Sequence, residues 1–171
     1  MMKFTVPAAT IAVALFLSST TAFSQTQTGD MAVSMTVAAE CTIATEALAF
    51  GTVGIIDTNI DAEANLTVQC TSGSAYQISL DDGLGVGATT AARLLTNTAT
   101  SDDVATYSLY QDASRTTVWG STAGTNTVDS DAATGADEVI TVYGRVDAGQ
   151  NVATGTYQDT VVATITYGTG L

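Results

Sequence analysis

The chain has 171 residues, with 17 Asp and Glu against four Lys and Arg and no histidine, giving a net charge of −13. That balance excludes nucleic acid and anionic membrane surfaces as partners, since neither is held without a basic surface. Hydrophobic residues make up 46% of the chain, enough to bury the core of one domain.

Residues 1–24 read as a signal peptide. Lys3 supplies a basic start, residues 11–17 the apolar centre, and Ala22 and Ser24 the small residues that a signal peptidase reads. The apolar run is too short to span a bilayer, and no later run approaches that length, so no membrane insertion is expected. Cleavage before Gln25 leaves 147 residues and removes Lys3, the one lysine; three arginines against 17 acids then give −14.

Residues 25–40 form an N-terminal segment whose stretch 30–38 alternates. Met31, Val33, Met35 and Val37 fall on one face of an extended chain, and Ala32, Ser34, Thr36 and Ala38 on the other. The plain reading is a first strand of a sandwich. Four apolar residues with no partner nearby in sequence also describe a strand suited to a groove elsewhere.

Cys41 and Cys70 are the two cysteines. In an exported chain they most simply form one disulfide, worth about 3.5 kcal/mol on the chain-entropy model. A metal or redox pair lacks the CxxC spacing and any histidine.

Short β-branched and alternating runs bounded by Gly, Asp, Asn and Ser predict an all-β sandwich in one domain. Residues 41–53 read as extended and broken at Gly51. Strands at 65–70 and 75–80 read as a hairpin-like pair, followed by a Gly-rich loop at 81–90. Further strands are expected at 93–96, 104–110 and 116–119. A long polar loop covers 120–137, and strands at 138–146 and 160–167 close the chain. In the last of these, Val161, Ala163, Ile165 and Tyr167 share a face.

No constellation carries catalysis. The chain has no histidine and keeps no lysine after export, and its serines lack a base. Adjacent acids such as Asp81-Asp82 and Asp102-Asp103 point to opposite faces of a strand and do not confront one another across a cleft. The Gly83-Leu84-Gly85-Val86-Gly87 run lacks the lysine and helix of a phosphate loop. The acidic stretch from Asp129 to Glu138 has oxygen ligands suited to calcium but not the EF-hand spacing, so a solvated loop is the preferred reading. No enzyme activity and no cofactor are expected.

Several blocks together resemble the spore coat U domain of archaic chaperone–usher pilins. They are Tyr-Ser-Leu-Tyr-Gln-Asp-Ala-Ser-Arg-Thr-Thr-Val-Trp-Gly at 107–120, Val-Tyr-Gly-Arg-Val at 142–146 and Gly-Thr-Tyr-Gln-Asp-Thr at 155–160. The resemblance implies an incomplete immunoglobulin-like β-sandwich over residues 41–171, completed by a donated N-terminal strand. It implies a periplasmic pilus chaperone that fills the groove, an outer-membrane usher, and further copies of the chain or related pilins in a fibre at the cell surface. Residues 25–40 then supply the donor segment, with Met31, Val33, Met35 and Val37 filling pockets. The strand carrying Val161, Ala163, Ile165 and Tyr167 forms a groove edge. The expected role is a structural pilus subunit in adhesion or biofilm formation. The alternatives are a self-contained secreted binding module and a non-fibrous coat component.

Overall fold

The computed structural model describes residues 22–168. The predicted signal peptide lies outside the described residues except for its last three. The chain divides into two units, Met1–Met35 and Thr36–Leu171. In the first, the described residues 22–35 enter no strand and are exposed.

The second unit is all β. Its strands are β1 (Cys41–Thr45), β2 (Ile60–Cys70), β3 (Tyr76–Leu80), β4 (Arg93–Asn97), β5 (Val104–Tyr110), β6 (Val128–Ser130), β7 (Glu138–Val146), β8 (Tyr157–Gln158) and β9 (Ala163–Tyr167). A six-stranded sheet runs β1-β2-β7-β5-β4-β8, and a three-stranded sheet runs β6-β3-β9. Every pairing is antiparallel. The sheets share one core, in which Leu66, Val68 and Val142 of the larger meet Ile78 and Leu80 of the smaller. Trp119 is fully buried among them and donates its indole N–H to the Ile78 carbonyl at 3.0 Å. That bond removes the cost of burying the one polar atom of the ring.

Strands β5 and β7 occupy the ranges predicted from alternation, and β3 and β4 fall within one residue of theirs. The Cys41–Cys70 disulfide is present, between residues directly opposed in the β1–β2 ladder. Other expectations are corrected. The strands expected as a hairpin, β2 and β3, lie in different sheets. Between them the turn at Thr71 is tied to the far loop, with Gly73 donating to the Ala133 carbonyl and Ala133 to that of Ser74, both at 2.8 Å. Both strands carry a fully apolar face, and facing each other across the core buries both faces together. The predicted polar loop at 120–137 contains β6, a short edge strand on β3. Residues 116–119 are held beside β5 by one bridge, Tyr110 to Val118, without forming a strand. Of the extended run expected at 41–53, strand β1 occupies Cys41–Thr45 with one further ladder bond from Glu46, and the final strand begins at Ala163, not at 160.

Strand β2 also starts five residues earlier than the alternation at 65–70 suggests. Its outward residues Asp61 and Glu63 disfavour a strand, but β7 and the loop after β5 supply the counter-charges. Arg145, opposite Asp61 in register, donates to both of its carboxylate oxygens at 2.7 and 2.9 Å. Arg115 lies 3.3 Å from Asp61 and 3.6 Å from Glu63.

These contacts set an acid limit on stability. The Arg145 hydrogen bonds, with the Arg115 charge adding, hold Asp61 below the usual carboxylate range. The Thr116 hydroxyl and backbone do the same for Asp112, and the Thr134 backbone N–H and Tyr76 hydroxyl for Glu138. A carboxyl lowered in the folded state contributes stability that is present above its unfolded value, about 4, and lost as pH falls through the folded one. The melting temperature is therefore expected to stay level from about pH 7 to 5 and fall below about pH 4. In Asp61→Asn the melting point at neutral pH should be lower and the acid decline shallower, both read by thermal denaturation across pH.

Candidate strand-accepting groove

Each sheet presents an open edge on the same side of the sandwich. Among the described residues β1 pairs only with β2, and β9 only with β3. The two edges approach one another and turn half-buried apolar side chains inward, Ile43 from β1 and Ala163 and Ile165 from β9. Unpaired N–H and C=O groups along such edges are a template for another strand. Beside them lies a cavity of about 300 Å³, walled by Leu66, Leu80, Leu95, Leu109 and Val142.

The segment after β1 shapes one wall. Glu46 continues the ladder by one rung, donating its N–H to the Asn65 carbonyl at 2.9 Å. Beyond it Leu48 and Phe50 turn inward while their neighbours are exposed, the period-2 pattern of a strand. They lie over Gly144 of β7, where a Cβ would come within 2.9 Å of Leu48 and 3.0 Å of Phe50. Glycine at this position permits the close approach. Phe50 packs edge-on against Tyr107, centroids 6.0 Å apart.

The cavity's polar lining is Thr45 and Glu46 at one end and Asp159 and Thr160 at another, where Asp159 is fixed from several sides. It accepts from the Tyr107 hydroxyl at 2.7 Å and from the Leu84 and Thr160 N–H groups at 2.8 Å each. Burial first, and then the bond to Asp159, raise the Tyr107 hydroxyl far above its ordinary value, so it remains a neutral donor. Gly83 adopts a positive φ of 82°, and the space its Cβ would fill is occupied by the Asp159 carboxylate. The start of the glycine-rich run, Gly83 and Leu84, thus lies against a carboxylate of its own chain. Beneath this corner Arg93, wholly buried, donates to the carbonyls of Leu80, Asp81, Thr90 and Trp119.

Of the residues singled out from sequence, Val161 and Ala163 line the cavity. Ile165 is half-buried farther along β9, and Tyr167 is 42% exposed at its end. Met31, Val33, Met35 and Val37 belong to no strand and stand 85, 87, 86 and 66% exposed. Sequence reasoning missed Leu48, Phe50, Arg93 and the Tyr107–Asp159 pair. The signal that was available for Arg93 is a lone charge opening an apolar strand in a chain that has three arginines. In the acidic stretch at 129–138, both Glu138 oxygens already accept bonds, from Tyr76 at 2.7 Å and from Thr134 at 2.8 and 3.0 Å. Among the described residues, no three acidic or cysteine side chains converge as metal ligands.

An antiparallel sandwich with paired open edges and an apolar cavity is the fold expected of the spore coat U class. The Spore Coat Protein U domain matches residues 27–164, and the chain belongs to that family. Among its relatives, Protein U of Myxococcus xanthus is 37% identical over 176 residues, covering 95% of this chain and 97% of its own. The fold is also similar to a chain of the CsuC–CsuE chaperone–tip adhesion subunit pre-assembly complex from archaic chaperone-usher Csu pili of Acinetobacter baumannii. That similarity has a TM-score of 0.55 at 22% identity over 76% of this chain, which spans 40% of that one.

Proposed function

We propose that this chain is a structural subunit of a secreted surface pilus, assembled by donor-strand complementation through a periplasmic chaperone and an outer-membrane usher, in the service of adhesion or biofilm formation. One observation carries the reading. The sandwich holds a largely apolar-walled cavity beside two unpaired edges, β1 and β9, while the same chain exposes four alternating apolar residues outside any strand. An inserted strand gains main-chain hydrogen bonds along both edges and places alternate side chains in pockets. Burying Met31, Val33, Met35 and Val37 contributes on the order of 6–12 kcal/mol before entropic costs, at roughly 1.5–3 kcal/mol each. A linkage of that strength offsets the repulsion between subunits carrying a charge of −14 once residues 1–24 are removed. The likeness to a complex from chaperone-usher pili supports the assembly route.

A second reading, a non-fibrous coat component using the same groove, is favoured by the family description and the relationship to Protein U. Purified mature protein separates the readings. A pilin yields a ladder of multimers that resists SDS until heated, and long fibres by electron microscopy. A coat component yields such multimers without fibres. A sharp monomer that forms no multimers would contradict both and favour a self-contained module.

A further inference from the structure

Four methionines occur in the chain; Met1 and Met2 belong to the predicted signal peptide, so the mature protein keeps Met31 and Met35 alone. Both stand on the apolar face of the N-terminal segment, 85 and 86% exposed. Both cysteines are in the disulfide, and no free thiol exists. The thioethers of Met31 and Met35 are therefore the sulfurs open to an oxidant, and on the donor-strand reading they are two of the four side chains that must enter an apolar groove. We infer that Met31 and Met35 form an oxidation-sensitive site that controls whether the chain can be joined to another subunit, with peroxide as the oxidant class. The thioether lone pair attacks one peroxide oxygen, the O–O bond breaks, and the departing hydroxide takes the proton from the oxygen now bound to sulfur and leaves as water. Sulfur is oxidised to the sulfoxide and the peroxide reduced. The product is a polar, strongly hydrogen-bond-accepting group on a formerly apolar side chain, which loses its hydration on entering a groove walled by Leu66, Leu80, Leu95, Leu109 and Val142. Enzymatic reduction of the sulfoxide reverses the change. In an assembled fibre the same sulfurs are enclosed and protected, so sensitivity belongs to the subunit before joining.

The inference rests on the donor-strand reading, and the test separates the two. Unassembled mature chain and preformed multimers receive the same dose of hydrogen peroxide. Sulfoxide at each methionine is followed by mass spectrometry, and the chains are then assayed for heat-sensitive, SDS-resistant multimers. Oxidation at both residues is expected to be at least tenfold slower in the multimers. Oxidised chain should lose at least nine-tenths of its multimer yield and regain it after treatment with methionine sulfoxide reductase. The double variant Met31→Leu, Met35→Leu should assemble equally well with and without peroxide. Equal yields from oxidised and untreated wild type, or a peroxide loss retained by the leucine variant, would overturn the inference while leaving strand donation intact. Equal oxidation rates in the two states would overturn both, because the segment would not be enclosed in the multimer. No multimers from untreated wild type would overturn strand donation and the inference with it.

Discussion

Met35→Asp is expected to abolish joining of subunits, and Ser34→Asp, one residue away, is expected to leave most of it. The two substitutions add the same charge to the same exposed segment, so repulsion between acidic subunits changes equally in both. On the proposed strand donation, they differ in which face of the inserted strand receives it. An aspartate in place of Met35 forfeits roughly 1.5–3 kcal/mol of apolar burial and adds several kcal/mol for an unpaired carboxylate in an apolar pocket. At 1.4 kcal/mol per factor of ten, the combined loss exceeds a thousandfold. Removing residues 25–38 altogether provides the complementary test. Residues 22–40 form no strand, and the side-chain bond that deletion breaks is the one from the Thr71 hydroxyl to the Ala38 carbonyl, at 3.2 Å. The shortened chain should therefore keep its sandwich and its groove, bind a chaperone, and fail to join the subunit ahead of it. Both outcomes are read from multimer yield and from co-purification with a chaperone. An unfolded deletion product would mean that the segment is an intrinsic strand, and fibres from it would rule the segment out as the linker.

How far the sequence could be read follows from what each signal encodes. Strands β5 and β7 were legible because large apolar residues alternate along them and polar or turn residues bound them. The disulfide was legible because a chain read as exported, with two cysteines, has one simple pairing, and both end apolar segments. Alternation reports which face of a strand is buried but not which strand lies beside it. That is why β2 and β3 read as a pair when they oppose each other in separate sheets. The first half of β2 was hidden because Ala62 and Ala64 are weak strand signals, and the charges of Asp61 and Glu63 are compensated by Arg115 and Arg145, far away in sequence. Strand β6 brings one half-buried apolar residue, Val128, and is ordered by β3 rather than by its own composition. That Val161 and Ala163 turn toward the cavity was readable from period-2 patterning. Leu48 and Phe50 depend on the bare backbone at Gly144, nearly a hundred residues later in the chain, and no local pattern reports that contact.

Arg93→Met is expected to destabilise the sandwich by on the order of 3–5 kcal/mol, because the guanidinium is worth more as a hydrogen-bond hub than as a charge. It is wholly buried and gives its donors to four carbonyls: Asp81 at 2.8 Å, Trp119 at 2.9 Å, Thr90 at 3.0 Å and Leu80 at 3.3 Å. Methionine fills much of the volume but leaves those acceptors in a site without another donor, at roughly 1–3 kcal/mol for each that finds no replacement. Arg93→Lys retains the charge, yet one ammonium with three donors cannot span carbonyls arranged for a planar fork, and it should lose more than half as much. Against a total stability of about 5–15 kcal/mol for a domain of this kind, either change is large. The effect reaches the groove as well. Leu80 forms part of the cavity wall, and Asp81 exchanges backbone bonds with the segment entering β9, donating to the Val162 carbonyl at 3.1 Å and accepting from the Val162 N–H at 3.0 Å through its carboxylate. Loosening the Leu80–Asp81 corner therefore frees the edge that would receive a strand, and Arg93→Met should lower multimer yield even where the chain remains folded. Urea denaturation of the monomer gives the stability loss, and multimer yield below the unfolding midpoint gives the second effect. A loss under about 1 kcal/mol would mean that water enters and serves the four carbonyls in place of the arginine.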